Sequence, residues 1–139
     1  MRIVLSMLFM CLYINVAQSD IKIMPVRELS RIDKLIKAVQ LVESNNNPLA
    51  VNVKEQATGS LQIRPIRLKD YNRKTGSNYK LEQMHQDSIA VKVFLYYAEK
   101  IGVENHEMIC RKWNGGSKNY DCKMAEKYWN KVQTKFKEI

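Results

Sequence analysis

A few side chains in this sequence can move protons or grip a polar ligand, and Glu43 is the first of them. It closes a run of apolar residues at helical spacing, Ile32, Leu35, Ile36, Val39 and Val42, and the breaker Asn45-Asn46-Asn47-Pro48 follows just after Ser44. A carboxylate on the last turn of a helix opposes the helix dipole, so it serves the helix poorly and suits a group aimed into a cleft. Position alone would equally describe a solvated surface glutamate. Gln62 and Asn114 add amide donors and acceptors, which can bind a polar ligand or hold a hairpin and the Gly115-Gly116 turn in place. His106-Glu107-Met108-Ile109-Cys110 begins like the zinc motif HExxH but lacks its second histidine, and His85 has no ligand partner at helical spacing. No metal site and no cofactor are expected.

The elements that must position these groups are mostly helical. Residues 20–28 read as an extended lead-in, with Pro25 opposing helix. Ser30-x-x-Asp33 opens a first helix that ends near Glu43-Ser44. Alternating runs at Ala50–Val53 and Ser60–Ile63, separated by a polar stretch ending in Thr58-Gly59, predict a small β-hairpin flap. Pro65 starts a helix that stops near Gly76, and Asp87-Ser88 starts a longer one closed by Gly102. Tyr96 and Tyr97 read as core and rim of that helix. A short helix over 105–112, a loop at Trp113-Asn114-Gly115-Gly116 and a last helix over 124–136 complete the pattern. The expected class is α+β, mostly helical, with one small flap and neither repeats nor linkers.

Bulk properties bound the setting. The chain has 139 residues, a one-domain length. Met1-Arg2, the apolar run Ile3–Val16 and Ala17-Gln18-Ser19 have the layout of a secretory signal peptide, too short to span a bilayer comfortably. The expectation is therefore a leader over 1–19 and a mature domain over 20–139, exported to a periplasmic or extracellular space. A lipoprotein at Cys11 is disfavoured by the bulky Leu8-Phe9-Met10 before it. The net charge is +9, and losing Arg2 leaves +8. Such an excess suits an acidic polymer or an anionic surface, and export makes nucleic acid the poorest partner. Removal of Cys11 leaves Cys110 and Cys122, an even count that suggests a disulfide in an oxidising compartment, worth roughly 3 kcal/mol by chain entropy. Two free thiols are the alternative.

Four segments then resemble, in order and at suitable spacing, the soluble lytic transglycosylases of the lysozyme-like superfamily. Val42-Glu43-Ser44-Asn45-Asn46-Asn47-Pro48-Leu49-Ala50 is similar to the family's Glu-Ser helix end and Asn-Pro-x-Ala turn. Gly59-Ser60-Leu61-Gln62 resembles Gly-Leu-Met-Gln, and Lys112-Trp113-Asn114-Gly115-Gly116 resembles Ala-Tyr-Asn-Gly-Gly. Tyr128 stands where the family has a tyrosine on its final helix. The resemblance covers roughly residues 33–136. Ser60 and Leu61 depart from it in ways expected only to reshape a packed wall. Trp113 keeps a flat ring that can stack on sugar but loses a phenol hydroxyl.

What the resemblance implies is a lysozyme-like fold that cleaves the glycan strands of peptidoglycan. Glu43 would be the catalytic acid, then the base that takes the C6 hydroxyl proton of N-acetylmuramic acid to leave a 1,6-anhydro end. Ser44, Gln62, Trp113, Asn114 and Tyr128 would contact substrate or orient the acid. Glu55, in the flap, stands where some lysozyme-like hydrolases keep a second carboxylate, so a muramidase using Glu43 with Glu55 is the alternative. A catalytically idle wall-binding relative is another. The expected partner is peptidoglycan, with the chain acting as a monomer, either alone or beside secretion, conjugation or phage machinery.

Overall fold

Apolar side chains at Ile32, Leu35, Ile36 and Val39 lie on one face of a helix and are all buried. They belong to α1 (Val26–Ser44), the longest helix among the described residues. The computed structural model describes residues 26–139, so the leader at 1–19, Cys11 and most of the predicted lead-in lie outside the described residues. Residues 26–28 are helical, and α1 begins before the expected cap at Ser30. A proline restrains the residue before it and opposes a helix interior, but it does not oppose a helix that starts just after it.

The flap is smaller than the alternation suggests. β1 (Val51–Asn52) pairs antiparallel with β2 (Ala57–Thr58), Val51 opposite Thr58 and Asn52 opposite Ala57. The expected second strand at Ser60–Ile63 instead curls back, and Ile63 makes a single bridge to Thr58. Positive φ at Gly59 (82°) and Gln62 (48°) makes that tight turn. It sinks Leu61 and Ile63 completely into the core.

The remaining helices follow their punctuation. α2 (Pro65–Thr75) has proline in its first turn and left-handed Gly76 as its cap. A short 3₁₀ helix, Leu81–His85, absent from the sequence reading, inserts the buried Met84 beneath β2. α3 (Asp87–Ile101) buries Ala90, Val93, Phe94 and Ala98. α4 (His106–Gly115) is capped by Asn105, whose side chain accepts the Met108 N–H. α5 (Lys123–Glu138) packs along both α1 and α4. Among the described residues the fold is therefore mostly helical, with a two-stranded antiparallel sheet. No helix of the described residues is long and apolar enough to cross a membrane.

Two further expectations change. The Trp113–Gly116 loop is helix through Gly115, because burying Trp113 against Phe94, ring centroids 4.8 Å apart, outweighs the weak helix propensity of Asn and Gly. Gly115 also lets the end of α4 approach the Tyr120 backbone and Ala125 closely. Cys110 and Cys122 stand as free thiols rather than a bridge. Cys110 is sealed in the core, where burial pushes its thiol pKa up. The Cys122 sulfur instead caps α5, accepting the Ala125 N–H at 3.5 Å.

Ser60, expected only to reshape a wall, is a fully buried polar pin. Its hydroxyl accepts from Gln40 Nε2 at 3.0 Å and donates to Asp87 Oδ1, while its carbonyl accepts from the Ser44 hydroxyl at 2.9 Å. One residue thus ties the flap to α1 and to the start of α3. Ser60→Ala is expected to destabilise the protein by about 1–3 kcal/mol, because the buried Gln40 amide is left without its partner. A lower urea midpoint at unchanged slope would report it; an unchanged midpoint would show the pin to be dispensable.

Candidate active site

Glu43 projects from the last turn of α1 and meets α5, which packs beside it. The Tyr128 hydroxyl donates to Glu43 Oε1 at 2.7 Å, joining residues 85 positions apart. Tyr128 is buried, so this bond is fixed by the α1–α5 interface rather than by solvent chance. Burial raises the pKa of Glu43, because the charged form loses water. The Tyr128 hydrogen bond and the positive charges of Arg64 and Arg67 oppose that rise, and Glu55 adds to it. Burial prevails, and the acid holds its proton above the usual carboxylate range.

A cavity of about 90 Å³ opens in front of it, lined by Glu43, Asn52, Glu55, Gln62, Arg64, Arg67, Trp113 and Asn114. Five residues singled out in the sequence are thereby brought together: Glu43, Glu55, Gln62, Trp113 and Asn114. Ser44 and Tyr128 do not line it. The Ser44 hydroxyl donates to Ser60 O at 2.9 Å and accepts the Asn47 N–H at 3.1 Å, which fixes the chain leaving Glu43 to the flap. Tyr128 stands behind the acid.

Each lining group is held by a local cause. Gln62 sits at φ 48°, and its Nε2 donates to Gly59 O at 2.9 Å and Ala50 O at 3.3 Å, so its amide nitrogen is spent on closing the flap. Glu55 pairs with Arg64 at 2.8 Å with both side chains nearly half exposed, a contact of small energy. Trp113 is only 6% exposed. Its edge meets Phe94 and the Arg67 guanidinium lies over its ring, 4.1 Å from the centroid. The expected open stacking platform is therefore a wall.

Arg64, Arg67 and Asn52 escaped the sequence reading. Arg67 Nη2 donates to Trp113 O at 2.6 Å and Lys112 O at 3.5 Å, carbonyls of the last turn of α4. The Lys112 carbonyl also accepts the Gly116 N–H, so the cation's main part is to hold the Trp113 carbonyl at the helix end and pin Asn114 beside the cavity. Burial lowers the Arg67 pKa, yet a guanidinium stays charged throughout the physiological range. The legible signal was the one that marked Glu43: cations at the cap and in the first turn of α2, where the dipole disfavours them.

The other flagged groups lie elsewhere. The His106 ring packs against Phe136, centroids 5.2 Å apart, and burial lowers its pKa. His85 Nδ1 lies 2.8 Å from Pro48 O, bracing the turn after Glu43. Chemically, the site offers one proton donor and acceptor beside a second carboxylate, two guanidinium groups and three amides. That set can act on an oxygen leaving group in a neutral polar ligand. Compared with models of protein families, with curated proteins and with solved structures, the chain matches none.

Proposed function

We propose that this protein is an exported, lysozyme-like peptidoglycan lytic transglycosylase that cleaves the bond between N-acetylmuramic acid and N-acetylglucosamine with Glu43 as its acid and base. The observation that carries the reading is the part-buried Glu43 carboxyl, held by Tyr128 and facing a cavity bordered by Gln62 and Asn114. The four sequence motifs support it, since all four reach this one place. The proton goes from Glu43 to the glycosidic oxygen as positive character grows on the sugar ring. Glu43 then takes the C6 hydroxyl proton, C6 oxygen bonds to C1, and a 1,6-anhydro end leaves with no water consumed. Both halves need a carboxyl that can give and regain a proton near neutrality. Burial raises its pKa, and Tyr128 with the two arginines limits the rise. The arginines are themselves offset, Arg64 by Glu55 and Arg67 by the α4 carbonyls.

Glu55 lines the same cavity, and this supports a second reading as a muramidase in which Glu55 positions a water. Mass spectrometry of fragments released from purified peptidoglycan separates the two. Anhydro ends, each lighter than a reducing end by one water, are expected, with Glu55→Gln nearly as active as wild type. Reducing ends lost in Glu55→Gln would establish the hydrolase. Absence of soluble fragments from wild type would defeat both.

Tyr128→Phe tests the acid's partner. Without the hydroxyl the carboxylate loses a stabilising donor, so the Glu43 pKa rises further and the alkaline limb of kcat/KM moves to higher pH. Looser orientation lowers kcat by about ten- to a hundredfold. A limb that stays in place would show that the bond does not set the acid's proton affinity.

A further inference from the structure

A larger groove of about 410 Å³ adjoins the Glu43 cavity, and the two share Arg64, Arg67, Trp113 and Asn114 as a common wall. Its floor is apolar, with Phe94, Tyr97, Ile101 and Ile109. Its rim carries Lys74, Lys100 and Lys112 besides the two arginines, against a single carboxylate, Asp70. That carboxylate is already taken, by Arg73 and Lys74 at 2.8 Å each and by the Tyr97 hydroxyl at 2.9 Å. Lys100 and Lys112 have no carboxylate within 4.0 Å among the described residues. Their ammonium groups rest over the rings of Tyr96 and Tyr120, 5.5 and 5.3 Å from the centroids. Both rings are part-buried, and a cation resting over such a ring is modestly held and can turn to a carboxylate at small cost.

We infer that this groove binds the short acidic peptide attached to the glycan, with Lys100 and Lys112 receiving its carboxylates and the apolar floor its aliphatic side chains. The inference rests on the proposed peptidoglycan reading and names the part of that substrate the groove recognises. A glycan strand of acetylated amino sugars, its lactyl groups tied up in amide links, presents no charge to this rim. The carboxylates of such a substrate lie in the peptide. The shared wall lets one ligand occupy both spaces, with a sugar at Glu43 and its peptide beyond Asn114.

The test compares peptide-bearing peptidoglycan with the same strands stripped by an amidase and then amidated at the lactyl carboxylates that the cut exposes, using wild type and the K100Q/K112Q double variant. Wild type is expected to prefer the peptide-bearing substrate about tenfold in kcat/KM, as two partly exposed charge pairs allow, and to lose that preference at high salt. The double variant should lose the preference through KM and cleave stripped strands as wild type does. Equal wild-type rates on both substrates, or a full preference in the double variant, would overturn the inference. A soluble N-acetylmuramoyl tetrapeptide separates this from failure of the catalytic reading, because its binding can be titrated without turnover. Binding that is lost in K100Q/K112Q, or when the peptide carboxyls are amidated, supports the groove. No binding to wild type overturns it, whatever the enzyme does to peptidoglycan.

Discussion

Glu43→Gln is expected to lower the release of soluble fragments from peptidoglycan roughly a thousandfold or more while leaving the fold intact, because in the proposed mechanism one group performs both proton transfers. Glutamine keeps the shape and can still accept the Tyr128 hydroxyl that now meets Glu43 Oε1. The sign of the stability change follows from burial. Folding raises the Glu43 pKa, so the folded state favours the protonated form. Whatever this carboxyl contributes to stability is present at acid pH and is lost as pH rises through its folded pKa. Above that pKa the wild type holds a partly desolvated charge that the variant lacks. The melting temperature of Glu43→Gln should therefore equal or exceed that of wild type at neutral pH, with the difference shrinking toward acid pH. A variant that unfolds would mark Glu43 as structural. One that still releases fragments would remove it from the chemistry. In wild type, activity should fall on the alkaline side as Glu43 gives up its proton, at a pH above the usual carboxylate range.

The largest effect on stability is expected at Gly59. Its φ of 82° is a conformation that side chains resist, and an added Cβ would press into the Met84 carbonyl of the 3₁₀ helix. That carbonyl is backbone and cannot swing away. Left-handed strain and the overlap together place Gly59→Ala at about 3–5 kcal/mol, a fall in melting temperature of roughly 10–20 °C for a domain of this size. The same turn carries Ser60 and Gln62, so the flap should loosen and fragment release should fall even below the melting range. Differential scanning calorimetry beside a digestion assay would check both effects. A melting temperature within two or three degrees of wild type would show that the flap can shift away from Met84.

Helix punctuation was readable because it depends on near neighbours. Pro65, Gly76, Gly102 and Asn105 each act within a turn of chain, and α2, α3 and α4 begin or end at them. The strand at Ser60–Ile63 was misread because its alternation comes from a tight turn that sends Leu61 and Ile63 inward, not from a ladder. The loop at Trp113–Gly116 was misread for the opposite reason. Local propensity favours a break there, and the burial of Trp113 against Phe94 overrules it. Cysteine parity suggested a bond, but parity does not place two sulfurs, and here one is sealed in the core while the other caps a helix.

By itself the sequence determined a mostly helical chain with a small flap, and it marked Glu43 as a charge where its helix gains nothing from one. Only the tertiary structure decided that Tyr128 reaches that carboxyl from 85 residues away, that Arg67 clasps the end of α4, and that a second carboxylate shares the cavity. The division has a physical cause. Helix starts and stops are set by backbone preferences within a few residues, and these are written in residue type. The proton affinity of an acid and the openness of an aromatic ring are set by what packs against them, and packing partners come from anywhere in the chain.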